Sequence, residues 1–332
     1  MRAWTARGVV EQHCISIGHN GPVEALPQHS KTKAAAPVYS PSVCAVILGW
    51  QRQADTLECV RSLVQADYPN LRVVLVDNAS RDGTPQRVKA CYPTVHLIIN
   101  SHNLGFAAGN NVGIEYALRQ GTEYVFLLNN DSVVAADALA ALVKVGQADP
   151  HIGVLTPKIY FYHHRAKIWS AGARKAKLLP GLARIGFGKD DGPAYDELRE
   201  VDYTTGCAIL VKSEVFREVG LFDPAYFMYF EDCDLSSRVR HAGYTIVYVP
   251  RAMVWHKHPL RTGNIPAAKW YQLARSTVLY CQRYSRFPRL SIIAYLGWVV
   301  MRECIKGHYK VISPCLRGLR DGLSGSRPSR TV

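Results

Sequence analysis

The chain has 332 residues, 48% of them hydrophobic, which is enough for one large domain with a substantial core plus extensions. Its nine cysteines are odd in number and contain no Cys-x-x-Cys pair, which argues against a disulfide framework or a zinc site and for reduced thiols in a cytosolic compartment. The formal net charge of +14 is concentrated after residue 250, where 15 Lys and Arg residues face only Glu303 and Asp321. This distribution predicts a nearly neutral body and a basic C-terminal region that can bind an anionic surface. We expect no nucleic-acid partner.

Residues 1–42 are rich in Gly, Pro, Ser, Ala and His, and they lack a continuous apolar segment. They predict a disordered leader without a secretory signal, and residues 323–332 predict a disordered tail. The longest apolar run, residues 290–301, would span roughly 18 Å as a helix, which is short of a ~30 Å bilayer core. A simple membrane span is therefore not expected.

Short apolar runs predict strands, with helical stripes between them, at residues 43–48, 72–76, 95–99 and 124–128. This alternation predicts an α/β fold with a mixed, mostly parallel sheet and right-handed crossovers. Residues 162–200 are rich in Gly, Lys and Arg and predict an irregular, mobile loop. Strand character returns at residues 201–211 and 245–249, with a helix predicted between them at 234–242.

Two polar segments follow predicted strands in the first half of the chain. Asp77 ends the second strand, where it is either a turn-capping aspartate or a carboxylate that accepts hydrogen bonds from the base or ribose of a nucleotide. Asn103, Gly105, Gly109 and Asn110 open the next helix, where small residues allow close backbone approach and direct amide donors at phosphate. A plain helix start has the same appearance, so both interpretations stay open.

Asp131 ends the Asn129-Asn130-Asp131 segment that follows the apolar strand 124–128. Open α/β folds bind ligands at the carboxyl ends of their strands. A carboxylate there is either a solvent-facing strand end or a ligand of a divalent cation, and the other motifs favour the cation.

A second acidic group, Glu231, Asp232 and Asp234, follows the aromatic-rich residues 226–230. One interpretation is the acidic first turn of a helix, which the helix dipole favours. The other is a general base, because aromatic walls can raise the pKa of a carboxyl group toward its working range.

His256 is either a satisfied surface histidine or a neutral imidazole that joins Asp131 on a cation such as Mn²⁺. A cation site and a base together suggest metal-assisted group transfer.

These motifs, in this order and spacing, resemble those of the family 2 inverting glycosyltransferases, and within them the bacterial rhamnosyltransferase-like branch. The resemblance covers residues 43–257. It implies a GT-A fold, with one Rossmann-like nucleotide-binding domain at residues 43–258 and a basic helical extension at 259–322. It also implies a nucleotide-diphosphate sugar donor, a glycan or lipid-linked acceptor, a Mn²⁺ or Mg²⁺ cofactor and a role in cell-surface polysaccharide synthesis.

The resemblance implies a role for each motif, and residues 162–200 would then lie on the acceptor side. Asp131 and His256 would bind the metal, Asp232 would be the general base, and Glu231 and Asp234 would lie beside the acceptor. The nucleotide-sugar-binding residues would be Asp77, Asn103, Gly105, Gly109, Asn110, Asn129 and Gly206.

Two departures from the family pattern stand out. Asn129 replaces the first aspartate of the metal-binding Asp-x-Asp motif, which leaves Asp131 as its only carboxylate. Residues 49–51, Gly-Trp-Gln, stand where many relatives have an Asn-aromatic-Asn element after the first strand, so the contacts to the nucleotide base would differ.

Two alternatives from other classes remain at this stage. A sugar-phosphate nucleotidyltransferase would need a Gly-rich, basic loop after the first strand, and residues 49–52 match this poorly. An inactive membrane-associated scaffold would be expected to lose Asp131 or Asp232, and both are present.

The apolar run 290–301 is flanked by Arg and Lys and carries Tyr295 and Trp298. It predicts either a core helix or a helix that lies on an anionic membrane surface. The second interpretation would make the protein peripheral at the inner, cytoplasmic face of the cell membrane.

Overall fold

The computed structural model describes residues 39–175, 182–260 and 266–325, and residues from Ser40 onward form one compact unit. Most of the expected leader and of the expected tail lies outside the described residues. The end of the leader segment is described and bonded to the body. The Ser42 backbone N–H donates to Oε2 of Glu123 at 2.8 Å, and the Ser42 carbonyl accepts from the Tyr124 N–H at 3.0 Å.

The described residues contain twelve strands and nine α-helices. The strands are β1 (Val43–Gly49), β2 (Leu71–Asp77), β3 (His96–Ile99), β4 (Tyr124–Asn129), β5 (Ser132–Val134), β6 (Ile152–Phe161), β7 (His164–Ser170), β8 (Ala173–Lys175), β9 (Leu182–Arg184), β10 (Arg199–Val201), β11 (Ala208–Lys212) and β12 (Thr245–His256). The helices are α1 (Gln53–Val64), α2 (Thr84–Cys91), α3 (Gly105–Arg119), α4 (Ala138–Ala148), α5 (Ser213–Val219), α6 (Glu231–His241), α7 (Ala267–Tyr284), α8 (Pro288–Ile305) and α9 (Ile312–Leu323).

One ten-stranded sheet has the order β10-β12-β6-β11-β4-β1-β2-β3, with β5 added to β12 and β7 to β6. The run from β4 to β3 is parallel, whereas β11 is antiparallel to β4 and to β6. The predicted mixed α/β sheet is confirmed. The register aligns Gly49 with Asp77 and Leu48 with Asn129, so the carboxyl ends of β1, β2 and β4 lie level.

The central strands are apolar along their whole length because helices cover both faces of the sheet. In β1, Val43, Ala45 and Ile47 join the core layer that contains buried residues of α1 and α4. Cys44 and Val46 join the opposite layer, which contains α3, α5 and α6. This sandwich leaves the loops at the strand ends as the surface on which a site can form.

The segment 162–200 was expected to be irregular, and this expectation is wrong in part. Its described residues form β7, the small β8–β9 sheet and β10. Lys158, almost fully buried on β6, holds the end of the segment through Asp191 at 3.0 Å and Asp196 at 2.7 Å. Burial of a charge requires such pairing, so these contacts fix the segment against the sheet.

The C-terminal helices α7, α8 and α9 pack around their own apolar cluster, which includes Trp270, Val278, Ile292, Val299 and Cys315. Helix α7 also contacts the sheet domain, where the hydroxyls of Tyr280 and Tyr203 lie 3.0 Å apart. In the part of the chain that the structure describes, we find no helix with the length and apolarity needed to cross a bilayer.

Candidate active site

Asp77 is completely buried at the carboxyl end of β2. Its Oδ2 atom accepts a 2.8 Å hydrogen bond from the Ser80 backbone N–H, as in an Asx turn. Its buried Oδ1 atom has no hydrogen-bond partner among the described residues. Because unsatisfied buried acceptors are rare, this oxygen is suited to accept a donor group from a ligand.

Asn78, the next residue, ties two loops at this edge together. Its amide Nδ2 donates to Oδ1 of Asn103 at 2.9 Å and to the carbonyl of Gly105 at 3.0 Å. The same Oδ1 of Asn103 accepts from the Gly105 N–H at 2.8 Å. The side chain of Asn103 therefore fixes the entry to α3, and its polar oxygen is already used inside the chain.

The small residues of α3 contact other parts of the chain. Gly105 has a φ of +82°, and a β-carbon there would lie 2.6 Å from the carbonyl oxygen of Phe227. A β-carbon at Gly109 would lie 2.7 Å from a methyl group of Leu48. The amide of Asn110 donates to a carbonyl one turn earlier in its own helix, at 2.9 Å. The expected close approach of this segment to phosphate does not fit, because protein atoms fill the space opposite both glycines.

Asp131 and His256 are brought together by strand pairing. Strand β5 begins directly after Asp131 and pairs antiparallel with β12, which sets His256 opposite Ser132. The Nε2 atom of His256 then lies 3.1 Å from Oδ1 of Asp131. On the other side, Arg52 approaches Oδ2 of Asp131 at 3.3 Å.

The Asp131 carboxylate is held in its charged form. Burial opposes ionisation, but His256 and Arg52 outweigh it and lower the pKa of Asp131. Burial lowers the pKa of His256, but Cys207 and Asp131 outweigh it and raise this pKa to about 10. The two side chains therefore form an ion pair, and a metal bound by both would replace the proton on His256.

The donor set of this pair fits a divalent cation. Asp131 Oδ1 is buried and lacks an aligned hydrogen-bond donor, although an imidazole nitrogen lies close by. One carboxylate oxygen and one imidazole nitrogen are ligands that Mn²⁺ accepts, with phosphate oxygens and water completing its shell. The described residues contain no group of three or more His, Cys, Asp and Glu side chains arranged for a metal, so such a cation would depend on its substrate for ligands.

Asp232 lies in the first turn of α6 and is partly exposed. Its Oδ2 atom accepts a 3.1 Å hydrogen bond from the backbone N–H of Gly206. Burial raises the pKa of Asp232, and the bonds from Gly206 and Cys233 offset part of this effect. A partly exposed carboxylate with a raised pKa is suited to accept a proton.

Glu231 is buried beside Asp232, and its Oε2 atom has no hydrogen-bond partner in the described chain. Burial and the neighbouring charge of Asp232 raise the pKa of Glu231 well above its ordinary value. Of the two carboxyl groups, Asp232 is the one that solvent and a ligand can reach.

Asp234 does not fit the expected position beside an acceptor. Its carboxylate is fully buried. One oxygen accepts from Arg238 at 2.9 Å, and the other accepts from Arg283 at 3.1 Å and from Tyr284 at 2.8 Å. Asp234 therefore joins α6 to α7 as a structural ion pair, and no oxygen is left for a substrate.

A short path of contacts connects the Asp131 pair to Asp232. The Cys207 carbonyl accepts from the Asn129 N–H at 2.9 Å, and the Cys207 sulfur lies 3.4 Å from the Ser132 hydroxyl. The end of β4 and the start of β11 lie together, and Gly206 binds Asp232, so the carboxylates from two distant parts of the sequence lie at the same end of the β4–β11 pair.

Sequence reasoning missed Arg52 and Arg184 at this site. Arg52 follows a strand end and has a φ of +62°, which no pattern in the sequence indicates. Arg184 lies in the segment 162–200, where the richness in arginine was the only signal.

Comparison with solved structures identifies the fold. GalNAc-T7 with UDP, GalNAc and Mn²⁺ superposes with a TM-score of 0.61 at 17% identity, over 86% of this chain and 56% of that chain. The mannosyltransferase PcManGT from Pyrobaculum calidifontis in complex with GDP-Man and Mn²⁺ superposes with a TM-score of 0.55 at 17% identity, over 86% of this chain and 88% of that chain. The chain has the GT-A fold.

The sequence comparison defines the class more closely, and the protein is a glycosyltransferase. Residues 41–276 match the family described as "Glycosyltransferase like family 2", and the chain belongs to that family. It is 31% identical over 284 residues to the N-acetylglucosaminyl-diphospho-decaprenol L-rhamnosyltransferase of Mycobacterium tuberculosis. The aligned region covers 78% of this chain and 89% of the relative. The resemblance to the rhamnosyltransferase-like branch is confirmed.

Proposed function

We propose that the protein is a metal-dependent inverting glycosyltransferase that moves a sugar from a nucleotide-diphosphate sugar to a hydroxyl of a glycan or lipid-linked acceptor in cell-surface polysaccharide synthesis. The observation that carries this proposal is the joining of Asp131 and Asp232 through Gly206 and Cys207 at one edge of the sheet. A charged pair for the leaving group and a base for the acceptor are the two functions that such a transfer requires.

The reaction would be a single displacement. Asp232 would remove the proton of the acceptor hydroxyl while that oxygen forms a bond to the anomeric carbon, and the bond to the diphosphate breaks. The configuration at the anomeric carbon is thereby inverted. Inverting glycosidases provide an analogy for a carboxylate base that acts at this carbon. The Gly206 N–H would hold Asp232 in place without removing its ability to accept a proton.

Asp131 and His256 would hold a Mn²⁺ or Mg²⁺ ion, which supplies positive charge for the departing diphosphate. The unpaired oxygen of Asp77 would accept a hydrogen bond from the nucleotide. Asn129, the last residue of β4, would border the sugar. GalNAc-T7 with UDP and Mn²⁺ and PcManGT with GDP-Man and Mn²⁺ share this fold, which supports a metal and a nucleotide at this edge of the sheet.

The mycobacterial relative is an N-acetylglucosaminyl-diphospho-decaprenol L-rhamnosyltransferase, which supports a diphospho-lipid acceptor and a deoxyhexose donor here. Access to such an acceptor would require contact with a membrane surface. Helix α8 buries Ile292, Leu296 and Val299 and packs Tyr295 and Val300 against the same cluster, whereas several of its other apolar side chains are exposed. The exposed apolar residues of α8 and its surroundings are Phe287, Leu290, Ile293, Trp298, Met301 and Ile305.

Five basic residues flank these apolar residues in the sequence, namely Arg286, Arg289, Arg302, Lys306 and Lys310, and of these Arg302 and Lys306 pair with Glu303. The combination fits a helix that lies at the headgroup level of an anionic bilayer. The protein would then act as a peripheral protein on the cytoplasmic face of the cell membrane.

A transfer assay with a panel of nucleotide-diphosphate sugars tests the proposal. The acceptors would be N-acetylglucosamine linked to a polyprenyl diphosphate and the same sugar as an alkyl glycoside, each with Mn²⁺ or Mg²⁺. We expect transfer from one donor, with a product of the opposite anomeric configuration. Formation of a nucleotide sugar from a sugar phosphate and a nucleoside triphosphate would instead identify a nucleotidyltransferase, and inactivity in all assays would favour a scaffold.

A further inference from the structure

Arg184 occupies a fixed place in the small sheet β8–β9. It pairs with Ala173 across the sheet, and the following residue, Ile185, donates its N–H to the Gly172 carbonyl at 2.9 Å. Its guanidinium carbon lies 4.4 Å from the centre of the Trp169 ring and 4.0 Å from that of Phe187. Two aromatic contacts of this kind hold the plane of the guanidinium and leave its N–H edge available.

Trp169 connects Arg184 to the candidate metal pair. Its ring is perpendicular to that of His256, with 4.6 Å between the ring centres, and His256 contacts Asp131. Burial lowers the pKa of Arg184, and Cys207 and Asp232 lie close enough to raise it in part. Arg184 therefore lies near both the Asp131–His256 pair and the proposed base, Asp232.

Among the described residues, the guanidinium of Arg184 makes no hydrogen bond and no ion pair. Burial lowers the pKa of Arg184 to about 10, so the side chain is still charged at neutral pH. The partly buried Arg238 differs, because Asp234 neutralises it at 2.9 Å. A partly desolvated cation without a counter-ion is unfavourable, and this favours binding of an anion.

We infer that Arg184 binds a phosphate group of a diphosphate substrate, an inference that rests on the proposed function. The planar fork of N–H groups matches phosphate oxygens, and the two aromatic rings orient it beforehand. Two diphosphates meet at a site of this kind: that of the nucleotide sugar and that of a lipid-linked acceptor. Both present the same chemistry to Arg184.

Three variants test this inference in the full-length protein with Mn²⁺. Arg184→Met keeps an apolar stem on the aromatic rings but removes all donors, and Arg184→Lys keeps the charge without the planar fork. Arg165→Met is the matched control, because Arg165 also stacks on two aromatic rings, those of Tyr162 and Trp255. Thermal unfolding of each variant reports on folding, and Arg184→Lys carries the test if Arg184→Met unfolds.

Calorimetry would first compare the binding of inorganic pyrophosphate and of UDP, GDP and dTDP. We expect Arg184→Met to weaken the binding of pyrophosphate about 10- to 100-fold, with a smaller loss in Arg184→Lys and none in Arg165→Met. A similar loss for the nucleoside diphosphate identifies the donor as the source. Unchanged nucleoside diphosphate binding, with a raised KM for the polyprenyl-diphosphate acceptor but not for the alkyl glycoside, identifies the acceptor.

Unchanged pyrophosphate binding and unchanged KM values in Arg184→Met would overturn the inference. A shift in the pH profile alone would also overturn it, because Arg184 would then act only through the charge of Asp232. Failure of the proposed function is distinguishable. A protein that transfers no sugar, yet binds pyrophosphate through Arg184, would refute the function and leave the inference intact.

Discussion

The backbone N–H of Gly206 donates a 3.1 Å hydrogen bond to Oδ2 of Asp232, and this contact joins the entry to β11 to the first turn of α6. A side chain at the glycine would force a shift, because a β-carbon would lie 2.9 Å from the ring of Phe106. The position of the proposed base therefore depends on a close contact between two backbone segments and an aromatic ring.

Replacement of Gly206 should change the pH dependence of transfer. Burial raises the pKa of Asp232 and the Gly206 bond lowers it, so a weaker bond should raise the pKa further. Gly206→Ala keeps the N–H, but its methyl group would meet the Phe106 ring and displace the backbone from Asp232. A general base acts when deprotonated, so kcat/KM rises with pH through this pKa, and the acid limb should move to higher pH in the variant. pH–rate profiles measure this. Gly192→Ala is the control, because no atom lies within 4 Å of its β-carbon. An acid limb that stays in place would show that the bond does not control the base.

Asp131→Ala should weaken the binding of both Mn²⁺ and nucleoside diphosphate, because the carboxylate oxygen that would hold the cation is lost. Excess EDTA should abolish transfer by the unaltered protein. Calorimetry with Mn²⁺ and then with the nucleoside diphosphate measures both effects. Asp190→Ala is a suitable control, since its side chain is 76% exposed and pairs only with Lys167 among the described residues. Full activity in EDTA would remove the metal from the mechanism.

Asp234→Asn should destabilise the protein rather than impair the chemistry. The substitution leaves Arg238 and Arg283 without their shared buried carboxylate. Loss of one partner of a buried pair costs about 3–5 kcal/mol, and the 44% exposure of Arg283 lowers the expected cost to about 2–4 kcal/mol. Urea unfolding measures this loss. KM values should remain within a few-fold, and a large rise in the acceptor KM without destabilisation would restore the acceptor-side role.

Substitutions on α8 should reduce membrane binding. Deletion of α8 and α9 would expose the face of α7 that carries Trp270 and Val278, so point variants are the better test. Leu290→Ser combined with Ile293→Ser changes side chains that are 67% and 69% exposed. We expect severalfold weaker co-sedimentation with phosphatidylglycerol vesicles at low salt, and no change in Leu198→Ser, whose side chain is 54% exposed elsewhere. Equal binding by all variants, or no binding by the parent, would contradict the membrane proposal.

The sheet could be predicted from the sequence because its central strands are short apolar runs. A carboxylate that follows such a run is also a local signal, and Asp77 and Asp131 do lie at or just after the ends of β2 and β4. The contact of His256 with Asp131 depends on the pairing of β5 with β12, which are far apart in sequence, so the residues alone left His256 open between a surface position and a metal ligand.

Other features had no readable signal. Gly105 and Gly109 have the spacing of a phosphate-binding segment, yet Phe227 and Leu48 occupy the space beside them. Composition cannot distinguish a glycine that admits a ligand from one that admits another part of the chain. The same holds for Asp234, whose partner Arg283 lies on α7, in a separate part of the sequence.

The most direct test of the central claim is the turnover of Asp232→Asn, measured with the rate of sugar transfer and the affinity for the nucleoside diphosphate on the same preparation. The amide keeps the shape of the side chain but cannot accept the acceptor proton. We predict a fall in kcat of about 10²–10⁴-fold, with nucleoside diphosphate affinity within a few-fold of the parent. Turnover at the parental rate would contradict the assignment of Asp232 as the base and direct attention to Glu231.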